Sequence, residues 1–156
     1  QKSPPMNGER GINMSRILLL EDDLSLINGL TFTFKKQGHE ADIARTLDEA
    51  EKIWSDGKYD LLILDVSLPD GSGFDFCKMV RQVSRVPIIF LTASDEETSI
   101  IMGLDMGGDD YITKPFKLGV LISRINALLR RKRFWYSRYR TSIQRNTGTA
   151  ITRAGV

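Results

Sequence analysis

Cysteine is nearly absent from this chain of 156 residues. With Cys77 alone no internal disulfide can form, which fits a reducing cytoplasm. Cys77 falls in an apolar helical pattern, so it is expected to pack rather than to react. Long hydrophobic runs are missing too. Ile17 to Leu20, Leu61 to Leu64 and Val86 to Leu91 are far too short to span a bilayer. The start of the chain lacks the basic, apolar and small-residue succession of a secretory signal. Acidic residues are missing from the other end. Residues 130–156 hold eight Lys and Arg and no Asp or Glu, which leaves 14 basic against 20 acidic residues in the rest, a balance of −6. The overall charge of +2 thus describes neither part. An acidic main body argues against a nucleic-acid surface on it. Neither an internal repeat nor a low-complexity block is visible.

What is present suffices for one globular domain. Hydrophobic residues make up 41% and charged residues 27%, an ordinary balance for a buried core with a solvated surface. Residues 1–13, QKSPPMNGERGIN, have no period and read as a disordered leader or a vector-derived remnant. Met14 is a plausible natural start. From Arg16 onward, short apolar runs alternate with helical patterns. Strands are expected at Ile17 to Leu20, Ala41 to Ala44, Leu61 to Leu64, Val86 to Leu91 and Tyr111 to Thr113. The first helix places Leu24, Ile27, Leu30, Thr31 and Phe34 at helical spacing, with Gly38 as its stop signal. Thr46 and Glu49 form a capping box for a helix running through Trp54, which Gly57 ends. Further helices are expected over Gly73 to Val83, Glu96 to Met106 and Lys117 to Arg131, the last with Leu118, Leu121, Ile122, Ile125 and Leu128 on one face. Five such units imply an α/β fold: a five-stranded parallel sheet with helices on both faces. The domain is expected to cover 14–132, with 133–156 a basic linker or tail.

Ligands of open parallel sheets sit at the carboxyl ends of the strands. The residues there share a chemical theme. Glu21, Asp22 and Asp23 follow the first strand, and Asp65 follows the third. Thr92 closes the fourth, and Lys114 the fifth. Singly these are a solvated loop, a helix cap and a turn. Jointly, in this order, they form a rim of mutually repelling carboxylates. A hard cation with oxygen ligands relieves that repulsion, and Mg²⁺ or Mn²⁺ suits it. One carboxylate can then attack phosphorus to give an acyl phosphate. Lys114 offers a charge and Thr92 a hydroxyl to the phosphoryl oxygens.

The segments RILLLEDD, LLILDVSLPDGSG, PIIFLTAS and GGDDYITKPF closely resemble the receiver domains of two-component response regulators, over about residues 15–132. The resemblance implies a flavodoxin-like (βα)5 fold and a signalling phosphoacceptor rather than an enzyme that turns over external substrates. On this resemblance Asp65 accepts the phosphoryl group from a sensor histidine kinase or a small donor such as acetyl phosphate. Asp22 ligates the metal directly, Glu21 through water, and Ser67 through its backbone carbonyl. Thr92 is the switch hydroxyl, Lys114 the phosphate-pairing lysine, and Tyr111 the aromatic switch. Asp23 is expected to be solvated, Pro69 and Gly71 to shape the loop, and Ser67 and Ser94 to tune hydrolysis of the acyl phosphate. His39 carries no catalytic task, because the family's phosphohistidine belongs to the partner.

KPFKLGVLISRINALLRR is similar to the last helix of OmpR/PhoB-type regulators, which form homodimers through the fourth helix, fifth strand and fifth helix. Asp110 and Arg124 match one of their intermolecular salt-bridge pairs. A second pair is replaced by Ile100 and Val120, where an apolar contact is expected instead of a salt bridge. Such proteins act on transcription through a DNA-binding winged helix. Some 23 residues after Arg133 are too few for one, so DNA binding would lie in a longer parent. The tail residues Phe134, Trp135, Tyr136 and Tyr139 interleave with Arg, a composition that also suits single strands or membrane surfaces; helix continuation and linker is the preferred reading. Two other functions compete. A haloacid dehalogenase-type hydrolase needs a second Asp where Ser67 stands. A flavin-binding module needs a hydroxyl- and glycine-rich loop where Glu21, Asp22 and Asp23 stand.

Overall fold

The computed structural model describes residues 14–93 and 96–132, Glu97 by its backbone only. Expectations placed on residues 1–13, on Ser94 and on residues 133–156 lie outside these. Five strands form one parallel sheet: β1 (Arg16–Leu20), β2 (Glu40–Ala44), β3 (Leu61–Leu64), β6 (Ile88–Thr92) and β7 (Asp110–Thr113), in the spatial order β2-β1-β3-β6-β7. Between them run α1 (Leu24–Lys36), α2 (Leu47–Ile53), α3 (Gly73–Arg81) and α4 (Glu97–Asp105). A further helix, α5, occupies 118–132. The chain leaves β1 toward β2 on one side and returns to β3 on the other. This reversal opens a crevice at the carboxyl ends of β1 and β3.

The local signals work as their chemistry dictates. Asp23 caps α1 by accepting from the Leu26 N–H at 3.2 Å. Gly38 ends the helix at φ 85°, a conformation that costs a residue with a Cβ. Thr46 caps α2 by accepting from the Glu49 N–H at 3.1 Å. The Glu49 carboxylate reaches back to the Arg45 N–H, one residue before the partner a standard capping box uses. Helix α2 stops at Ile53, and Gly57 belongs to the turn beyond it.

Alternation along the strands sends side chains to two separate cores. Ile17, Leu19, Ile63, Ile89 and Leu91 pack with Ile27, Leu30 and Phe34 of α1 and with Leu121, Ile125, Leu128 and Leu129 of α5. Leu18, Leu20, Leu62, Leu64, Ile88 and Phe90 pack with Ala50 of α2 and with Phe74, Phe76, Cys77 and Val80 of α3. Cys77 is fully buried, as its helical position implied. Leu24 and Leu118, expected on inner faces, are exposed, because each lies in the first turn of its helix, outboard of the sheet. Leu129 takes the core position instead. A short hairpin absent from the expected elements, β4 (Ser67–Leu68) with β5 (Gly71–Ser72), follows β3. Pro69 and Asp70 are its loop. Among the described residues no helix is long and apolar enough to cross a membrane.

Candidate functional site

The sheet ladder itself aims the acidic residues. The Glu21 N–H donates to the Ala44 carbonyl at 3.0 Å and the Asp65 N–H to the Leu20 carbonyl at 2.9 Å. Both residues are thus held as extensions of β1 and β3, side by side on one rim. Glu21, Asp22 and Asp65 each offer a carboxylate oxygen, and these atoms lie within 4.8 Å of one another. Glu21 is 1% exposed and Asp65 6%; Asp22 is more open to solvent. Asp23 stands outside this group, because its carboxylate is the cap of α1. Its backbone N–H leans toward Glu21 Oε1 at 3.4 Å.

Lys114 reaches the cluster from the next strands. Its N–H donates to the Thr92 carbonyl at 2.8 Å, and the Lys114–Pro115 peptide is cis. Its Nζ lies 2.9 Å from Glu21 Oε1 and 3.0 Å from Asp65 Oδ2. The other Asp65 oxygen, Oδ1, accepts from the Ser67 N–H at 3.1 Å. Three of the four expected carboxylates, Glu21, Asp22 and Asp65, and the lysine therefore meet at one edge. Burial, then the neighbouring Asp65 carboxyl, push the Glu21 carboxyl up to about 7, against the pull of Lys114. Burial disfavours the Lys114 charge, but its bonds to Glu21 and Asp65 outweigh that and raise its pKa above the ordinary value. Glu21 Oε2 is buried and has no hydrogen-bond partner among the described residues. A buried carboxylate oxygen left over beside two other carboxylates fits a hard divalent cation with oxygen ligands.

Thr92 ends β6 and is 2% exposed. Tyr111 lies half-buried on β7 opposite Phe90, their rings 6.1 Å apart. Gly103 of α4 closes on this pair: a Cβ there would lie 3.1 Å from Tyr111 Cδ2 and 3.2 Å from Phe90 Cδ2. Asp110 and Arg124 do pair, at 3.2 Å, but within one chain. Ile100 is half-buried on α4 and Val120 exposed on α5. His39 is buried just before β2, away from the carboxylates in the fold. A cavity of about 710 Å³ lined by Tyr59, Val86, Pro87, Leu128 and Arg131 lies by the opposite strand ends and takes no part in the site.

Two contributors to the rim were not foreseen. Gly73 begins α3, and a Cβ there would come within 1.9 Å of the Asp65 carbonyl oxygen. Its N–H also donates to the Val66 carbonyl at 2.9 Å. Ser72 caps α3 by accepting from the Phe74 N–H at 3.1 Å, and the only sequence signal for Gly73 is a glycine at the helix start, where most residues are tolerated. Asp70, in the hairpin loop, accepts from the Leu47 N–H at 2.8 Å and the Asp48 N–H at 3.1 Å. Nothing local in the sequence joins residues this far apart.

The geometry agrees with what comparison finds. The response regulator receiver domain model matches residues 17–126. Sensory transduction protein RegX3 of Mycobacterium tuberculosis is 42% identical over 118 residues, covering 76% of this chain and 52% of RegX3. Transcriptional regulatory protein SpaR of Bacillus subtilis is 42% identical over 120 residues, 77% of this chain and 54% of SpaR. The chain spans about half the length of such relatives. A two-component response regulator from Clostridium difficile superposes with a TM-score of 0.72 at 36% identity, over 75% of this chain and 97% of that one. DrrB of Thermotoga maritima, described as an OmpR/PhoB homologue, gives 0.69 at 28% identity, over 76% of this chain and 54% of DrrB. A parallel sheet in this strand order, an acidic rim completed by a lysine, and a family match over most of the chain together place it: it belongs to the receiver-domain family of two-component response regulators, OmpR/PhoB type.

Proposed function

We propose that Asp65 is the phosphoacceptor of this receiver domain, loaded by a sensor histidine kinase in the cytoplasm. An Asp65 carboxylate oxygen attacks phosphorus, an O–P bond forms, and the P–N bond to the donor imidazole breaks. Glu21, Asp22, Asp65 and the Ser67 carbonyl would hold Mg²⁺ or Mn²⁺, which when bound neutralises charge on the phosphoryl oxygens. Lys114, already within 3.0 Å of Asp65, pairs with one of those oxygens, and the Thr92 hydroxyl donates to another. Turnover ends with water hydrolysing the acyl phosphate, so the domain acts on itself rather than on an external substrate.

The added charge at the rim biases two states of the domain rather than creating a new one. Thr92 moves toward the phosphoryl group and Tyr111 follows. Because Gly103 lets α4 rest directly on the Tyr111 and Phe90 rings, a turn of that ring changes the seat of α4. The surface of α4, β7 and α5 then forms a homodimer using Asp110, Arg124, Ile100 and Val120. The Asp110–Arg124 pair exchanges from within one chain to between two. Residues 14–132 serve as the receiver and 133–156 as linker or tail, and DNA contact and transcription control reside in parts of the whole protein beyond this chain.

The observation that carries the reading is Lys114 Nζ bonded to both Glu21 and Asp65 within a group of three carboxylates. Incubation with labelled acetyl phosphate and Mg²⁺ tests it. The native chain is expected to take up label and Asp65→Asn to take up none; full labelling of Asp65→Asn overturns the assignment. Sedimentation over a concentration series, with and without a phosphoryl mimic, tests the dimer, and a monomer under both conditions removes it.

A further inference from the structure

The junction between β2 and α2, residues 45–48, holds none of the carboxylates of the site, yet it is tied to both loops that do. On one side the Arg45 guanidinium donates to the Asp22 carbonyl at 3.2 Å, and the Arg45 N–H is fixed by Glu49. On the other side the Leu47 and Asp48 N–H groups donate to the two oxygens of Asp70 at 2.8 and 3.1 Å. The Leu47 N–H holds the Asp70 carboxyl below the ordinary carboxylate range. Asp70 thus supplies a second cap to α2 from another loop, beside the cap that Thr46 provides. Gly71 completes the seat: its φ of 148° favours glycine, and its Cα packs against Leu47, where a Cβ would lie 2.7 Å from the movable Cδ1.

The tie continues to the phosphoacceptor. Asp70 is in the loop of the β4–β5 hairpin, whose register pairs Ser67 with Ser72 and Leu68 with Gly71. Ser67 in turn donates to Asp65 Oδ1. An unbroken path therefore runs from the first turn of α2 through Asp70 and the hairpin to the Asp65 carboxylate. A second, shorter path runs from Arg45 to the backbone of Asp22.

From this geometry we infer that the β2–α2 junction is a bracket that sets the spacing of the two acidic loops, with Asp70 and Arg45 as positioning residues for the metal and phosphoryl site. The inference rests on the phosphoacceptor reading above. Groups that orient metal ligands from behind typically change metal affinity by about 10–100-fold. Asp70→Ala is expected to raise the Mg²⁺ concentration for half-maximal labelling by acetyl phosphate about tenfold. Arg45→Ala, which removes an exposed side chain, is expected to raise it a few-fold. Asp70→Asn keeps one acceptor oxygen and is expected to fall between Asp70→Ala and the native chain.

Hydrogen exchange of the metal-free protein supplies a readout independent of activity. Asp70→Ala should speed exchange across residues 66–72 while the amides of β1 and β3 keep their protection. Uniformly faster exchange, or an unshifted Mg²⁺ midpoint in Asp70→Ala, would reduce the contact to a stability role and overturn the inference. If Asp70→Ala does not fold, an unshifted midpoint in both Asp70→Asn and Arg45→Ala overturns it equally. Persistent labelling of Asp65→Asn, by contrast, would sink the phosphoacceptor reading itself, an outcome distinct from an unshifted Mg²⁺ midpoint in the bracket variants.

Discussion

Gly73→Ala is the substitution that best separates local fit from helix propensity. Alanine is the better helix former by about 1 kcal/mol, so propensity alone favours the change. The structure argues the other way. The new methyl would sit 1.9 Å from the Asp65 carbonyl oxygen and 3.0 Å from the Asp65 carbonyl carbon. Both are backbone atoms and cannot rotate aside. To reach a contact near 3.0 Å, α3 and the end of β3 must part by about 1.1 Å. Overpacking of this kind typically costs about 1–3 kcal/mol. A loss near 2 kcal/mol lowers the Tm of a domain this size by roughly 8 °C. The displaced residue is the phosphoacceptor, and misplacing a reacting group by about 1 Å can cost roughly 10²-fold in rate. Phosphorylation by labelled acetyl phosphate, timed at saturating Mg²⁺, is expected to slow by that order. Gly29→Ala is the control: it lies inside α1, and a Cβ there meets nothing within 4 Å. It should gain about 0.5–1 kcal/mol and label normally. A Gly73→Ala protein that melts and labels like the native chain would refute the close approach.

Other perturbations follow from the same contacts. Lys114→Met leaves Glu21 and Asp65 buried without their cation, and breaking such a pair costs about 3–5 kcal/mol; urea melts of the metal-free protein at pH 8 should show it, and a loss below about 1 kcal/mol would mean that the carboxylates are solvated. The Glu21 carboxyl, raised to about 7 from an ordinary value of 4.5, stays protonated in the folded state where the unfolded chain has released its proton. Metal-free stability should therefore fall as pH rises between those values, and Glu21→Gln should abolish that part of the slope in a pH series of melts. Arg81 donates to the Val86 carbonyl at 2.6 Å, to the Gly107 carbonyl at 2.7 and 2.9 Å and to Asp109 at 3.1 Å. Arg81→Met takes the donor from the Val86 and Gly107 carbonyls, while Asp109 keeps the Ile88 N–H at 2.8 Å, and should cost about 3 kcal/mol in denaturant unfolding, with faster exchange at the start of β7.

The fold was legible because its signals are local. Unbroken apolar tetrads such as Leu61–Leu64, alternating with helical patterns, read as strands buried on both faces, and the cap at Thr46 announces its helix, whereas the cap at Asp23 was not read from the sequence. What failed was the end of each pattern. Periodicity extended the inner face of α1 back to Leu24 and of α5 back to Leu118, since it registers spacing and not where the sheet stops. The β4–β5 hairpin escaped because two-residue strands leave no alternation to read. Within the site, carboxylates and a lysine at strand ends carry their chemistry in their identity. Gly73 and Asp70 do not: one matters for an atom it lacks, the other for partners 22 and 23 residues away.

That division has an electrostatic reason. The rim gathers three carboxylates against one lysine, whose ammonium meets only two of them. Lys114 cannot serve the Oε2 of Glu21, which stays without a partner among the described residues, and Glu21 answers by holding its proton toward neutrality. Left to relax, such a cluster would spread its charges into water. It is kept together by restraints outside the cluster: the ladder bonds at Glu21 and Asp65, the bare Cα of Gly73, and the hairpin seated on α2 through Asp70. The residues that repel can be named from sequence because charge is a property of each alone. The residues that hold them against that repulsion exist as a set only after folding, and a cation or phosphoryl group arriving at the rim meets a geometry that those restraints have already fixed.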